Sequence, residues 1–246
     1  MKIVASIEAR MGSSRLPGKV LKNFGDETTL SLLVKRLKKS KYLNDIVIAT
    51  SVSSKDDLIC NWCFENNISF FRGSEDDVLD RVVRAHEKMG SDLIVEITGD
   101  CPFTDPKIVD LAVQTFLDND YDVVTNCGNN LSWPMGMYAQ VFSLENLKWV
   151  NKNISDIVVH EHVSLYFYEN LNLYNVYELI APHNVSYPNM RIVLDYEEDY
   201  NFLTKIYEIL STKYNDFFEI KDIVNLLKSQ PELLSINKNC KEKEIR

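Results

Sequence analysis

Strand-like and helix-like runs alternate through the first half of this chain, and no other feature limits its fold as tightly. Short apolar runs occupy 2–7, 45–50, 68–71, 92–98 and 122–125. Between them apolar residues recur at helical spacing. Leu30, Leu33, Val34 and Leu37 form one such stripe, Val78, Leu79, Val82, Val83 and His86 another, and Ile108, Leu111 and Ala112 a third. Thr28 or Thr29 caps the first helix, and Asp105-Pro106 is a cap followed by a first-turn proline. The series predicts a three-layer α/β fold: a mainly parallel sheet with helices on both faces. Such sheets bind ligands beyond the carboxyl ends of their strands. The segments 10–19 and 98–105 therefore share one edge and outline a site.

After about residue 127 the alternation lapses. Residues 133–137 read as an irregular loop, 161–169 as a helix and 174–180 as an antiparallel strand. A further strand at 191–194 runs into a helix with Tyr196, Tyr200, Leu203, Tyr207 and Leu210 on one side. The reading is a single domain over 1–246, with an inserted arm at about 128–188 that leaves the main sheet and returns. Trp133, Tyr166, Phe167, Tyr168, Tyr174 and Tyr177 suit either a dimer interface or a private small core. The charged tail from Asn237 is expected to fray.

Charge narrows the ligand. With 36 acidic and 27 basic side chains the net charge is -9, which repels nucleic acid and anionic membranes. Against that background the stretch Ala9-Arg10-Met11-Gly12-Ser13-Ser14-Arg15-Leu16-Pro17-Gly18-Lys19 is a local basic exception, suited to a small anion. No window approaches the roughly 18–20 apolar residues of a membrane span, and the start lacks signal-peptide architecture, so a cytoplasmic protein is expected. The five cysteines fit that compartment; Cys60 and Cys63 fall in a helical pattern with no second pair at zinc spacing.

Three phosphate-binding devices compete for the basic loop. A G-x-G-x-x-G fingerprint is absent. A Walker A loop fails because five residues separate Gly12 from Gly18, and Val20 stands where the magnesium-binding hydroxyl belongs. The third device clamps a triphosphate with Arg10, Arg15 and Lys19, while Gly12 and Ser13 let backbone N–H groups approach oxygens. A solvated basic turn is the bland counterpart. At the second strand end Asp100 points toward the same phosphates and suits Mg²⁺, which one carboxylate and phosphate oxygens commonly hold together. Asp195, at a later strand end, either completes a two-carboxylate metal site or caps the acidic first turn of its helix.

The 9–19 stretch resembles the N-terminal signature of the CMP-sugar synthetases, cytidylyltransferases that activate Kdo and sialic-type sugar acids. Gly99-Asp100-x-Pro102 resembles their metal turn, and Arg191-x-x-x-Asp195 with Glu198-Asp199 their late carboxylate region. The spore-coat polysaccharide (SpsF-like) branch is the nearest in pattern, sharing R-x-G-S-x-R-L-P-G-K and the segment running from Pro134 through Gly136 to Val141-Phe142. The resemblance covers nearly the whole chain. It implies the nucleotide-diphospho-sugar-transferase-like, Rossmann-like fold with a small lid or dimerisation arm. It also implies transfer of CMP from CTP to the anomeric hydroxyl of a sugar acid, with loss of pyrophosphate, for surface polysaccharide. On this resemblance Arg10, Arg15, Lys19 and Asp100 are catalytic and Asp100 and Asp195 hold Mg²⁺. Ala9, Gly12, Ser13, Arg72, Ser74 and Arg81 join the nucleotide site, with a solvated face beside Arg84 as the other role for Arg81. Gly136, Gln140 and His162 border the acceptor, and the protein is a homodimer.

One departure stands out. The family places an acidic residue shortly before Val-Phe, where this chain has Tyr138-Ala139-Gln140. A phosphonate or another small acid therefore remains an acceptor, and a catalytically inert nucleotide-binding scaffold is the reading from another class. His160, two residues before His162, is expected to pack its helix.

Overall fold

The computed structural model describes residues 1–242. In chain order its elements are β1 (Ile3–Glu8), the small hairpin β2 (Asn23–Phe24) and β3 (Glu27–Thr28), α1 (Thr29–Leu37), β4 (Asp45–Ser51), α2 (Asp57–Glu65) and β5 (Ser69–Gly73). There follow α3 (Val78–Met89), β6 (Leu93–Thr98), α4 (Pro106–Leu117), β7 (Val123–Thr125), β8 (Gln140–Ser143), α5 (Leu144–Asn153), α6 (Ile157–Glu161), α7 (Leu165–Glu169), β9 (Val176–Glu178), α8 (Glu197–Tyr214) and α9 (Ile220–Ser229).

Seven strands form one sheet in the order β5-β4-β1-β6-β8-β7-β9, and all are parallel except β8, which is antiparallel to both its neighbours. Strands buried on both faces need apolar side chains in both directions, which explains why β1, β4 and β6 read as mainly apolar runs rather than as alternating ones. Ile3, Ala5 and Ile7 of β1 face one core with α1, α4, α8 and α9. Val4 faces a second core with α3, α5 and Phe167 of α7. The three-layer α/β expectation holds.

The local signals resolve as chemistry. Thr28 is the cap of α1, its hydroxyl accepting from Ser31 N at 3.1 Å. Asp105 caps α4 through Lys107 N at 2.9 Å and also accepts from Ile220 N, tying α9 to the sheet. Arg36 is buried and donates to four carbonyls, those of Phe103, Thr104, Asp216 and Phe218. The five cysteines are free thiols. Among the described residues no helix is long and apolar enough to cross a membrane.

Differences from the sequence reading concentrate after residue 127. Gln140–Ser143, inside the stretch expected to leave the sheet, is β8 at the middle of it. The 161–169 helix is two short helices, because Glu161 ends one and a cap at Ser164 begins the next. The 174–180 strand shrinks to β9 and is parallel to β7, since its pairing is reached by the crossover through α5–α7 rather than by a hairpin. The 191–194 strand makes one bridge, Arg191 with Met135, and no ladder. Leu111 faces solvent, and Val109 and Val113 complete the buried stripe of α4 instead. Asn237, the start of the supposedly frayed tail, is buried; the last residues of that tail, 243–246, lie outside the described residues.

Candidate active site

The strand order reverses beside β1, whose neighbours are β4 on one side and β6 on the other. At this switch point the carboxyl ends of β1 and β6 come unusually close. Gly99 N donates to Glu8 O at 3.0 Å, and a Cβ on Gly99 would stand 2.6 Å from that same oxygen. Glycine is required there, and the approach brings 10–19 and 98–105 onto one edge as the sequence predicts.

The basic loop is closed by its own backbone, with Gly18 N donating to Met11 O at 3.0 Å and Met11 N to Asp56 Oδ1 at 2.7 Å. Ser13 Oγ accepts from Leu16 N at 3.3 Å and so serves the turn. Ala9 is buried at the root of the loop, while Arg10, Gly12 and Arg15 are exposed. Lys19 opens a short 3₁₀ turn that aims its amine across to the β6 edge.

There the charges meet. Lys19 Nζ donates to Asp100 Oδ2 and to Asp195 Oδ1, each at 2.7 Å. Arg15 reaches Asp195 Oδ1 at 2.9 Å and lies 5.1 Å from the centre of the Tyr196 ring. Arg191 holds the other Asp195 oxygen at 2.9 Å and grips the fully buried Asp199 through Nε and Nη2. Asp199 Oδ2 in turn accepts from the backbone N–H groups of Asp195 and Tyr196, both at 3.1 Å. Leu194 N donates to Asp100 O at 2.8 Å, binding the two acidic segments to each other. Asp195 is thus fixed by a buried Arg191–Asp199 pair. Burial pushes its carboxyl up, but Lys19, Arg191 and Arg15 together outweigh that and hold it down at about 2. Lys19 moves the other way and is raised: burial opposes its charge, and Asp100 and Asp195 more than offset it.

Asp100 and Asp195 fit a magnesium ion by the chemistry of their donor set. They are two carboxylates, one just after β6 and one just before α8, that already share Lys19 as a partner, and Mg²⁺ takes one or two carboxylates together with phosphate oxygens. Among the described residues no group of three or more His, Cys, Asp or Glu side chains gathers for a metal, so phosphate oxygens or water would have to complete the shell.

The remaining candidates lie further out. Arg72 braces the exit of β4, donating to Ser51 O at 2.9 Å, Ser53 O at 2.8 Å and Asp57 Oδ1 at 2.7 Å. Arg81 is buried, which overturns the solvated face beside Arg84; its guanidinium donates to Ser74 O at 2.6 Å, shaping the 74–77 turn from beneath. Ser74 Oγ caps that turn by accepting from Asp77 N. Gly136, at φ +97°, has Ile192 O only 2.5 Å from the place of a Cβ, so it lets the 133–137 loop lie against the 191–194 segment. Gln140 Nε2 donates to Glu96 at 3.3 Å, while its Oε1 is buried with no partner. His162 ends α6 and is partly buried. His160 bridges Asp77 Oδ1 and Ile154 O, each at 2.8 Å, in the packing role expected of it.

Three participants escaped the sequence reading. Glu8 and Glu96 look like strand residues, yet the register sets Ser6 beside Glu96 and both carboxyls face the α3 side. Burial raises each above the ordinary carboxylate range. A polar residue interrupting a doubly buried strand is the signal that would have found them. Arg191 was visible only as part of a motif; its buried ion pair needed the fold.

A three-layer sheet with a basic loop and two carboxylates at its switch point defines a nucleotidyltransferase. A cytidylyltransferase family model matches residues 4–237, and the chain belongs to that family. It is 33% identical to the spore coat polysaccharide biosynthesis protein SpsF of Bacillus subtilis, over 94% of this chain and 95% of that one. A solved cytidylyltransferase from Leptospira borgpetersenii superposes with a TM-score of 0.88 at 32% identity, covering 99% of this chain and all of the other. A CMP:2-keto-3-deoxy-manno-octonic acid synthetase complexed with CTP shares the fold at a TM-score of 0.60 and 17% identity, covering 87% of this chain and all of that one.

Proposed function

We propose that this cytidylyltransferase transfers CMP from CTP to the anomeric hydroxyl of an acidic sugar, releasing pyrophosphate and a proton, in the building of a surface polysaccharide. The observation that carries the reading is the convergence of Arg15 and Lys19 with Asp100 and Asp195 at the sheet's switch point. The base and ribose lie over Ala9, Arg72, Ser74 and the turn that Arg81 supports. Arg10, Gly12, Ser13, Arg15 and Lys19 receive the triphosphate. Charge-assisted hydrogen bonds contribute about 1.5–3 kcal/mol each, so three or four of them account for micromolar affinity.

The acceptor hydroxyl attacks the α-phosphorus, and the bond to the pyrophosphate oxygen breaks in line with it. Arg15 and Lys19 neutralise the charge growing on the leaving pyrophosphate. Lys19 can do so only by exchanging its carboxylate partners for phosphate oxygens, which frees Asp100 and Asp195 toward a cation. Mg²⁺, when bound by those two, supplies charge neutralisation at the phosphates and polarisation of the attacking oxygen. Gly136, Gln140 and His162 border the acceptor, and two copies of the chain pair through exposed side chains of the 128–188 stretch such as Leu171, Leu173 and Tyr177, since Trp133 and Phe167 are buried within the monomer.

The test is a thermal shift with CTP, UTP, ATP or GTP plus Mg²⁺, followed by pyrophosphate release with 3-deoxy-manno-octulosonate and other sugar acids. Stabilisation by CTP above the rest, and release dependent on a sugar acid, is expected. Equal response to all four nucleotides, or release that neutral sugars support equally, would overturn the reading.

A further inference from the structure

Asp56 stands where a helix cap belongs and does something else. It is the last residue before α2, is 1% exposed, and makes no side-chain capping bond to its own helix. One oxygen, Oδ1, accepts from Met11 N of the basic loop at 2.7 Å. The other, Oδ2, accepts from Ser51 N at 3.1 Å and from the Ser51 hydroxyl, both at the end of β4. A buried carboxylate thus spans the gap between the basic loop and the β4 exit.

Each end of that span leads into a different half of the nucleotide seat. On the loop side Met11 is held at both of its backbone polar groups, because its carbonyl also accepts from Gly18 N at 3.0 Å. A peptide unit is planar, so fixing the Met11 N–H also fixes the Arg10 carbonyl and the direction in which 10–13 leaves β1. On the strand side Ser51 Oγ accepts from Ser53 N at 3.1 Å, and Ser51 O and Ser53 O are the carbonyls that Arg72 holds. Asp57, the next residue, takes the third Arg72 contact. A continuous run of hydrogen bonds therefore joins Arg72 on the base side to the loop on the phosphate side, with Asp56 at its centre.

We propose that Asp56 is a positioning residue that couples the two halves of the nucleotide seat, holding the base side and the triphosphate loop at the spacing of one intact nucleotide. The inference rests on the nucleotide reading above. A ligand anchored at two ends gains from its second end in proportion to the effective concentration at which the site presents it. That concentration falls when the two half-sites move independently. Loosening the bridge therefore costs a ligand that spans both halves more than it costs a ligand that fills one. A residue that served only the stability of the fold would draw no such distinction.

The test measures dissociation constants by calorimetry for CTP, CMP and pyrophosphate, each with Mg²⁺, in wild type and Asp56→Asn. The substitution keeps the shape but turns one accepting oxygen into an amide group that cannot accept. CTP should bind the variant about 10-fold more weakly, the weight of one hydrogen bond to a charged group, while CMP and pyrophosphate each change by less than about 3-fold. A loss for either fragment as large as the loss for CTP overturns the proposal, and so does no loss at all. If Asp56→Asn does not fold, Ser51→Ala, which removes only the hydroxyl arm, takes its place; CTP should weaken about 3-fold and the fragments stay put, and any other order overturns the proposal. If wild type binds CTP no more tightly than its fragments, the nucleotide reading has failed, and the bridge is judged on the free protein. Hydrogen exchange in Asp56→Asn should then quicken in peptides covering both 9–16 and 51–54; quickening in one of them alone, or in neither, overturns the coupling.

Discussion

Two pairs of carboxylates sit near the same end of the sheet and are held in opposite ways. Asp100 and Asp195 stand on the edge with Lys19, Arg15 and Arg191 around them, and Asp195 is pushed down to about 2. Glu8 and Glu96 lie on the sheet face, where burial raises both; for Glu8 repulsion from Glu96 adds to burial and Arg81 opposes it, while for Glu96 a hydrogen bond with Ser164 opposes it. The difference teaches that burial raises every one of these carboxyls, and that only where enough cations lie within reach, as around Asp195, is it outweighed. The edge pair is ready to exchange partners with a ligand, whereas the face pair is kept from charging and acts as hydrogen-bonding structure.

The largest expected effect breaks the edge pair. Asp195→Asn or Asp100→Asn should lower kcat by on the order of 10²–10³-fold, as loss of a group aimed at transition-state charge does, with the fold intact by circular dichroism. Next comes its cationic side: Arg15→Ala should weaken CTP binding by about 10–100-fold, read by calorimetry, since one charge-assisted hydrogen bond is lost.

Stability against pH separates the pairs by sign. The depressed Asp195 contributes fully above its ordinary value of 3.8 and loses that contribution as pH falls through about 2. Its size is about 2 kcal/mol, and Asp195→Asn should flatten the acid limb of a denaturant-midpoint profile. The raised Glu8 and Glu96 do the reverse: the folded state holds their protons, so their contribution is complete below the ordinary value of 4.5 and is lost as pH rises above it. Glu96→Gln should therefore raise the denaturation midpoint at pH 8 relative to pH 5, and no difference between the two would dissolve the contrast. The smallest effect belongs to the face pair's neighbour. Gln140→Ala should raise the acceptor KM about 3–10-fold, one neutral hydrogen bond's worth, while CTP affinity is unmoved.

Legibility in the sequence followed the range of the forces involved. Alternation, caps and the Arg10–Lys19 loop are local, and they located β1, β4, β5, β6 and the shared edge. The sequence alone leaves Asp195 between a metal site and a helix cap; the structure joins it to Asp100 through Lys19, whereas Asp199 takes the capping of α8. What the sequence hid depends on distant pairing. β8 is four residues long and antiparallel, and nothing near Gln140 announces that its partners are Leu93–Glu96 on one side and Val123–Thr125 on the other. Arg81 could not be told from Arg84 by helical periodicity, because a buried guanidinium needs carbonyls that only the folded 74–77 turn supplies. In the tail from Asn237 the sequence displays charge, which suggests fraying, and hides the Arg191–Asp199 seat that holds Asn237.

The Lys19 bridge has one more consequence. With Arg15 and Arg191 on one side and Asp100, Asp195 and Asp199 on the other, three positive groups face three negative ones. The resting cleft is electrically quiet, so it offers a lone triphosphate little long-range pull. On the proposed function, a nucleotide already complexed with a divalent cation would bring a plus end for the aspartates and a minus end for the lysine, and so would replace the internal bridge as a like-for-like swap. The free protein thus keeps its working charges folded against one another.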